Sequence, residues 1–344
     1  MSDFYNGNKL LSLLDVNKRK PELYFCCGNR TAGKTFFFKR WMLRRFVKHG
    51  EKFVIFVRFK EDMPNRVNGF FADIGPIAFP GHHMTQKPIL NGNAYELHFD
   101  GKPCGYVISL NTANRIKENS ALFADAERGF LDEFMSETGK YVPQELQKFN
   151  SIRISIARGG AKGTHTRYFP VYLCSNNVTL FNPYFTYLMI APKMSNRVRY
   201  LRGDGWVLEQ TFNVAAADSI KREFRTIGGE ELQYATENQY LLDKNQFIEK
   251  KPGMKVCSAK IKFNGKVYGV WTTLTSSEIY VSTKCDPACE FILAFTDVDH
   301  DVGSVLIAKN SKVFHWMKDM YSRGLVWFEN GACRHAFITS LCIQ

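Results

Sequence analysis

The chain has 344 residues, 45% of them hydrophobic, more than one core usually serves and ample for two packed domains. Lysine and arginine number 46 against 33 acidic residues, a formal charge of +13 that points to a polyanionic partner such as nucleic acid rather than a small metabolite. Nine scattered cysteines without a zinc-like pair of pairs argue for reduced, mostly buried thiols; with no long apolar run to suggest a signal peptide or membrane span, a soluble cytoplasmic protein is expected.

Residues 1–21 read as an N-terminal arm and short helix, ending at Lys18-Arg19-Lys20 before Pro21, a basic run of the kind that coats a solvated surface. Residues 22–27 have the length and aromatic content of a buried strand, and residues 36–48 mix apolar and basic side chains at helical spacing. Between them stands Gly28-Asn29-Arg30-Thr31-Ala32-Gly33-Lys34-Thr35, a full match to the phosphate-loop pattern G-x-x-x-x-G-K-[ST] in the strand-then-helix context the pattern needs. Gly28 and Gly33 let the backbone wrap a phosphate closely. The loop N–H groups and helix N-terminus add partial positive charge, Lys34 adds a full one, and Thr35 offers a hydroxyl to Mg²⁺.

A second strand is expected at 52–57, completing a βαβ unit and implying a parallel sheet. Arg58 and Lys60 follow at its carboxyl end, where ligands gather in open parallel sheets; they fit a phosphate, a neighbouring subunit's site or plain surface charge equally well. Residues 64–104 read as an irregular insert with a hairpin turning at Asp100-Gly101, and 106–110 as a core strand. His82 and His83 are adjacent and have no carboxylate at ligand spacing, so no metal site is expected there.

The second chemical signal is Phe130-Leu131-Asp132-Glu133-Phe134. Hydrolysis of a nucleotide needs one strand-end carboxylate for the Mg²⁺ shell and another to polarise the attacking water; Asp132 suits the first role and Glu133 the second. Ala126-Glu127-Arg128-Gly129 is less apolar than the run expected before such a pair, and residues 121–125, ending at Asp125, are the rival. A helix is expected at 144–157, with Arg153 and Arg158 near its end and a glycine-lysine loop at 159–163, then His165 and Arg167. The arginines fit a helix-dipole role or a transition-state contact in a neighbouring subunit, and the loop fits a DNA backbone. The strand at 169–174 ends in Ser175-Asn176-Asn177, where Asn176 reads either as a sensor of the γ-phosphate or as a turn former. Residues 182–185 and 187–190 are expected to continue the core.

Beyond a strand at 207–212, two helices are expected at 215–225 and 230–240, split by Gly228-Gly229, with a polar boundary stretch at 241–253. Strands at 256–263, 266–273 and 278–283 alternate around an Asn264-Gly265 turn, followed by strands at 291–295 and 326–329 and a helix at 313–321, which makes a small α+β domain. Asp297, Asp299 and Asp301 raise a two-metal nuclease centre, but alternate residues of one segment fit a solvated loop better, since such centres gather carboxylates from separate elements.

Taken together, Gly28 to Thr35, Val57-Arg58-Phe59-Lys60, Leu131-Asp132-Glu133-Phe134, Ser175-Asn176-Asn177-Val178 and Asn182-Pro183-Tyr184-Phe185 resemble, along about the first 200 residues, the DNA encapsidation ATPase of small podovirus-type tailed phages. The resemblance implies an α/β additional-strand P-loop NTPase domain over 1–205, a helical lid and linker over 206–250, and an α+β RNase H-like vestigial nuclease domain, inactive, over 251–344. It implies a homopentameric ring at the portal vertex of the procapsid in the host cytoplasm, pumping double-stranded DNA with ATP and Mg²⁺, and contact of the last domain with packaging RNA or the procapsid. By this resemblance Gly28, Asn29, Arg30, Thr31, Ala32, Gly33 and Lys34 hold the nucleotide, and Thr35 and Asp132 the Mg²⁺. Glu133 is the catalytic glutamate, Asn176 the sensor, Arg158 the arginine finger with Arg153 also open, and Lys60 a second cation acting between subunits. The rivals are a terminase-like enzyme that also cuts DNA and a P-loop switch or kinase that never translocates.

Overall fold

The computed structural model describes residues 5–158, 166–194, 198–228 and 256–341, with 232, 235, 236, 240, 241, 251, 253 and 254. They divide into two compact units, one of residues 1–178 and 199–239, the other of 179–198 and 240–344.

The first unit is built on a nine-stranded sheet. In chain order its strands are β1 (Leu23–Gly28), β2 (Lys52–Val57), β3 (Met84–Ile89), β4 (Ala94–Phe99), β5 (Lys102–Ser109), β6 (Ala126–Asp132), β7 (Val171–Asn176), β8 (Tyr200–Gly203) and β9 (Trp206–Thr211). The spatial order is β3-β4-β5-β2-β6-β7-β1-β9-β8. The six strands from β5 to β9 pair in parallel, with antiparallel β3, β4 and β8 at the edges. All six residues of β1 are buried, as a central parallel strand covered on both faces requires. Strand β7 lies between β1 and β6, so an additional strand separates the phosphate loop from Asp132-Glu133.

The helices of this unit are α1 (Asn8–Leu11), α2 (Lys34–His49), α3 (Met63–Ala78), α4 (Ala113–Glu118), α5 (Glu145–Arg158) and, after α6 (Pro183–Tyr187) of the other unit, α7 (Val214–Glu223). The α2 face carrying Phe38 and Met42 is fully buried; Phe38 stacks on Tyr172 at 5.6 Å, and Trp41 meets the same ring edge-on at 4.9 Å. Each such ring contributes roughly 1.5–3 kcal/mol through burial.

Residues 63–78, expected as irregular, form the 16-residue helix α3. Pro64 stands in the first turn, where its missing N–H costs nothing, and Pro76 falls in the last turn. The hairpin at Asp100-Gly101 is present between β4 and β5, both residues at positive φ (49° and 75°). The polar start of β6 is explained by Arg128, which pairs with Glu51 and lies 4.8 Å from the Trp41 ring centre. Asp125, the rival carboxylate, is bound at the opposite end of the sheet by Lys52 (2.5 Å) and the Tyr106 hydroxyl (3.0 Å).

The domain limits expected at 205 and 250 are corrected in two places. Strand β9 pairs with β1 along its whole length and belongs to the first unit, whereas residues 179–198 belong to the second. Tyr187 and Met189 are exposed rather than part of the core. Most of the helix expected at 230–240, the loop 159–163 and His165 lie outside the described residues.

The second unit contains α6 (Pro183–Tyr187), β10 (Val256–Phe263), β11 (Lys266–Thr272), β12 (Ile279–Ser282), β13 (Ile292–Ala294), β14 (Val305–Leu306), α8 (Lys312–Ser322), β15 (Val326–Phe328) and α9 (Gly331–Ser340). Its sheet runs β14-β13-β10-β11-β12-β15; β10, β11 and β12 are antiparallel, and β13 and β14 run parallel to β10, in keeping with the RNase H-like expectation. Helix α9 was not foreseen. Asn330 caps it, accepting hydrogen bonds from Ala332 and Cys333 N–H, and eight of its ten residues are buried.

Candidate active site

The carboxyl ends of β1, β6 and β7 bring the two chemical signals together, as an open parallel sheet does at its switch point. Gly28 ends β1 where no side chain fits: a Cβ there would stand 2.1 Å from the Thr211 carbonyl oxygen. Gly33 has φ 90°, a left-handed conformation that starts α2 directly behind the loop. Lys34 is 5% exposed, and its ammonium donates to the loop's own carbonyls, Asn29 O at 2.7 Å and Gly28 O at 3.2 Å, with Asn176 Oδ1 at 3.4 Å. Burial pushes the Lys34 pKa below its usual range, against opposing pulls from neighbouring cysteines and Asp132. A buried cation held only by carbonyl dipoles is poised to gain from an incoming phosphate.

The Thr35 hydroxyl donates to Asp132 Oδ1 at 3.0 Å, and the Glu133 N–H donates to the same oxygen at 3.1 Å. Two hard oxygen donors thus meet at the mouth of the loop, which suits Mg²⁺ better than a softer metal. The cleft there, about 280 Å³, is lined by Thr31 to Phe36, Asp73, Asp132, Glu133, Ser175 and Asn176. An adjoining cleft of about 310 Å³ shares Asp132 and Glu133 and is lined also by Arg58, Asp62 and Arg66.

Glu133 sits at φ 55°, a left-handed conformation that costs a residue with a Cβ about 1–3 kcal/mol unless its surroundings impose it. Arg58 imposes it. Its guanidinium donates to Glu133 O at 2.6 Å and to Phe134 O, pairs with buried Glu145 at 3.1 Å, and lies 4.8 Å from the Tyr141 ring centre. Arg58 is therefore a brace for the strand end, not an open cation awaiting a phosphate. The Glu133 carboxylate is engaged by Arg66 of α3, which also lies 3.9 Å from Asp132. About two turns further along α3, Asp73 pairs with Lys39 at 2.5 Å.

Asp132 has its pKa raised, chiefly by burial; Lys39, Arg66 and the Thr35 hydrogen bond pull it down, and Glu133 adds to the rise. A carboxyl with a raised pKa keeps its proton to higher pH, and metal binding requires the carboxylate. Mg²⁺ affinity is therefore expected to fall as pH is lowered, the loss beginning above the ordinary carboxylate range, measured by Mg²⁺ titration of nucleotide binding; Asp132→Asn should flatten that dependence. A pH-independent affinity in the unaltered protein would count against Asp132 as the ligand.

The expected site residues do not all converge. Arg30 reaches away from the loop to Glu137 at 2.6 Å. Lys60 lines neither cleft; its backbone N–H donates to Asn111 Oδ1 at 3.0 Å at the start of a short 3₁₀ turn. Arg158 is exposed at the far end of α5, about 20 Å along the helix from Glu145, which adjoins the site through Arg58. Arg153 is tied to Glu22 at 3.4 Å and packs 5.4 Å from the Phe149 ring centre, a structural position.

One link that sequence reading missed joins the loop to α7. Asn29, 1% exposed, donates from Nδ2 to Asn213 O at 3.0 Å and accepts from Asn213 N–H at 2.9 Å, while the Asn213 side chain caps α7 by accepting from Ala216 N–H. Asn29→Ala breaks both part-buried bonds, while Asn213 O keeps the one it accepts from Ala217 N–H; at about 0.5–1.5 kcal/mol each, a stability loss of about 1–3 kcal/mol is expected in denaturant unfolding, with weaker nucleotide binding. An unchanged midpoint and affinity would contradict that role.

In the second unit, Asp299 accepts from Asn264 N–H at 2.6 Å and the Thr296 hydroxyl at 2.7 Å, and Asp301 pairs with Lys262. These acids hold the loop in shape. Among the described residues, no three His, Cys, Asp or Glu side chains gather as a metal site, and no helix is long and apolar enough to cross a membrane.

Comparison with known proteins agrees with this geometry. The chain is 26% identical over 96% of its length to the "DNA packaging protein" of Bacillus phage PZA, covering 95% of that protein. It is similar in fold, with a TM-score of 0.59 at 21% identity and coverage of 99% and 100%, to a chain of the bacteriophage phi29 genome packaging motor assembly. It also resembles the crystal structure of the N-terminal domain of the phi29 DNA packaging ATPase, with a TM-score of 0.50 at 25% identity, covering 61% of this chain and 97% of that one. The family model described as podovirus DNA encapsidation protein (Gp16) matches residues 1–341, and the chain belongs to that family.

Proposed function

We propose that the chain is the ATP-hydrolysing subunit of a ring motor that drives double-stranded DNA into a viral procapsid through its portal. The observation that carries this reading is the Thr35 hydroxyl held 3.0 Å from Asp132 at the mouth of the phosphate loop, with Glu133 the next residue. The loop N–H groups and Lys34 would take the β- and γ-phosphates, Lys34 exchanging two carbonyl partners for phosphate oxygens. Thr35 and Asp132 would hold Mg²⁺, which when bound neutralises charge developing on the phosphates. Glu133 takes the proton of the attacking water, and Asn176, on the β7 tip opposite Gly28, contacts the γ-phosphate. Arg66 engages Glu133, so the base is free to act only once that pair opens.

In this reading Arg158, exposed at the end of α5, acts in trans on the nucleotide of the next subunit, and Lys60 joins it at that interface. A homopentamer, contact of the second unit with packaging RNA or the procapsid, and loss of nuclease activity complete the proposal. Relatives that are DNA packaging proteins over their whole length, together with the basic charge, support it.

The test mixes two inactive proteins. Arg158→Ala and Glu133→Gln subunits should each hydrolyse little ATP alone and recover DNA-stimulated hydrolysis when combined, because mixed interfaces pair an intact arginine with an intact glutamate. No recovery, with ring assembly intact by sedimentation, would rule out the trans arginine.

A further inference from the structure

The second unit carries a feature that neither nucleotide turnover nor DNA movement uses: three cysteines, Cys257, Cys285 and Cys289, brought to one end of its sheet. Strands β10 and β13 are parallel neighbours in the register Lys260 with Ile292 and Ile261 with Leu293, and the Lys260 N–H donates to Phe291 O at 2.7 Å. Cys257 stands near the start of β10 and Cys289 three residues before the start of β13, so the two parallel neighbours bring both to the same end of the sheet. Neighbouring strands of a sheet run about 4.7–4.9 Å apart. That spacing lies inside the span of about 4.4–6.8 Å between Cα atoms that a disulfide requires.

The thiols of Cys257 and Cys289 interact directly, and that of Cys285 lies close by. Cys289 is placed by a tight turn through Pro287, in which Cys289 N–H donates to Asp286 O at 3.1 Å and Ala288 N–H to Asp286 Oδ1 at 2.9 Å. Cys285 is anchored beside it, its thiol 3.9 Å from Val267 O. Cys257 is buried, whereas Cys285 and Cys289 are partly exposed, so a small reagent reaches the pair from one side.

We propose that Cys257 and Cys289 form a dithiol–disulfide pair that exchanges with low-molecular-weight disulfides such as oxidised glutathione. The Cys289 thiolate attacks one sulfur of the small disulfide, forming a mixed disulfide and expelling one glutathione thiolate. The Cys257 thiolate then attacks the Cys289 sulfur and expels the second. Two protein thiols are oxidised, one small disulfide is reduced to two thiols, and the two protons lost by the cysteines go to the departing thiolates. The order follows from access, and burial together with the adjacent thiols pushes the Cys257 pKa up to about 11, which disfavours it as first attacker. Closure ties the turn at 286–289 to the start of β10 and restricts the unfolded chain across residues 258–288.

A buried pair elsewhere in the chain serves as an internal reference. Cys26 and Cys174 are opposite each other, in β1 and β7, but both are 0% exposed.

The experiment equilibrates the full-length protein with oxidised glutathione, quenches free thiols with an alkylating agent, and maps peptides by mass spectrometry without reduction. The expected result is a linked Cys257–Cys289 peptide lighter by two hydrogens, reversed by dithiothreitol, with Cys26 and Cys174 still alkylated. Cys257→Ser should stop the reaction at glutathione attached to Cys289, and Cys289→Ser, at a partly exposed position that folding tolerates better, should abolish the link. A Cys285–Cys289 link in its place, or Cys257 fully alkylated after treatment, would overturn the proposal.

Discussion

Glu133→Gln is expected to lower DNA-stimulated ATP turnover by about 10²–10⁴-fold while leaving nucleotide binding intact. The amide keeps the shape of the side chain, loses the capacity to accept the water proton and gives up the ion pair with Arg66. Binding persists because the phosphate loop, Lys34 and the Thr35–Asp132 pair are untouched. The backbone of residue 133 should also hold, since its left-handed conformation is imposed by Arg58 through the Glu133 carbonyl rather than the carboxylate. The variant should therefore accumulate as a nucleotide-loaded protein. Single-turnover kinetics beside equilibrium nucleotide binding measure both halves, and turnover within a few fold of the unaltered protein would remove Glu133 from the chemistry.

Lys34→Ala has an effect of comparable size on a different step: nucleotide binding itself is lost. The lysine is buried and its charged form is disfavoured by desolvation, which carbonyl oxygens, a long contact to Asn176 and the pull of the neighbouring cysteines and Asp132 offset only in part. Removing it relieves a buried charge, so the nucleotide-free variant should be as stable as the unaltered protein or more so, even though activity disappears. Thermal unfolding with and without ATP and Mg²⁺ checks this. The unaltered protein should gain stability in proportion to ligand occupancy and the variant should gain none. A variant destabilised by several kcal/mol without nucleotide would mean that Lys34 holds the loop together and is not held in reserve for phosphate.

What the sequence revealed depended on how local each signal was. The loop from Gly28 to Thr35 is a contiguous pattern with a strand before it and a helix after it, and the structure places all three as read. Asp132-Glu133 was legible as a strand-end pair, although Arg128 obscured the strand, because its partners Glu51 and Trp41 are remote in sequence. Helix α3 was missed because Pro64, Gly69, Gly75 and Pro76 suggested loop, yet Val67, Phe70, Phe71 and Ile74 hold the helical period and are all buried. Missing α3 meant missing Arg66, which reaches the site only because that helix forms. Helix α9 fails for the opposite reason: buried nearly all round, it has no polar face to give a period. The boundary drawn at residue 205 fell between the two strands of the β8–β9 hairpin, and only the pairing of β9 with β1 shows that the first sheet continues past it. The Asn29–Asn213 link spans residues with no shared motif, and no pattern in the chain announces it.

The most direct test of the central claim is protection of double-stranded DNA from added nuclease, with purified procapsids, this protein and ATP. Protection should require ATP and Mg²⁺ and rise with ATP consumed, and it should be absent with Lys34→Ala or Glu133→Gln. DNA protected without ATP, or protected equally by either variant, would contradict a motor driven by hydrolysis at this site.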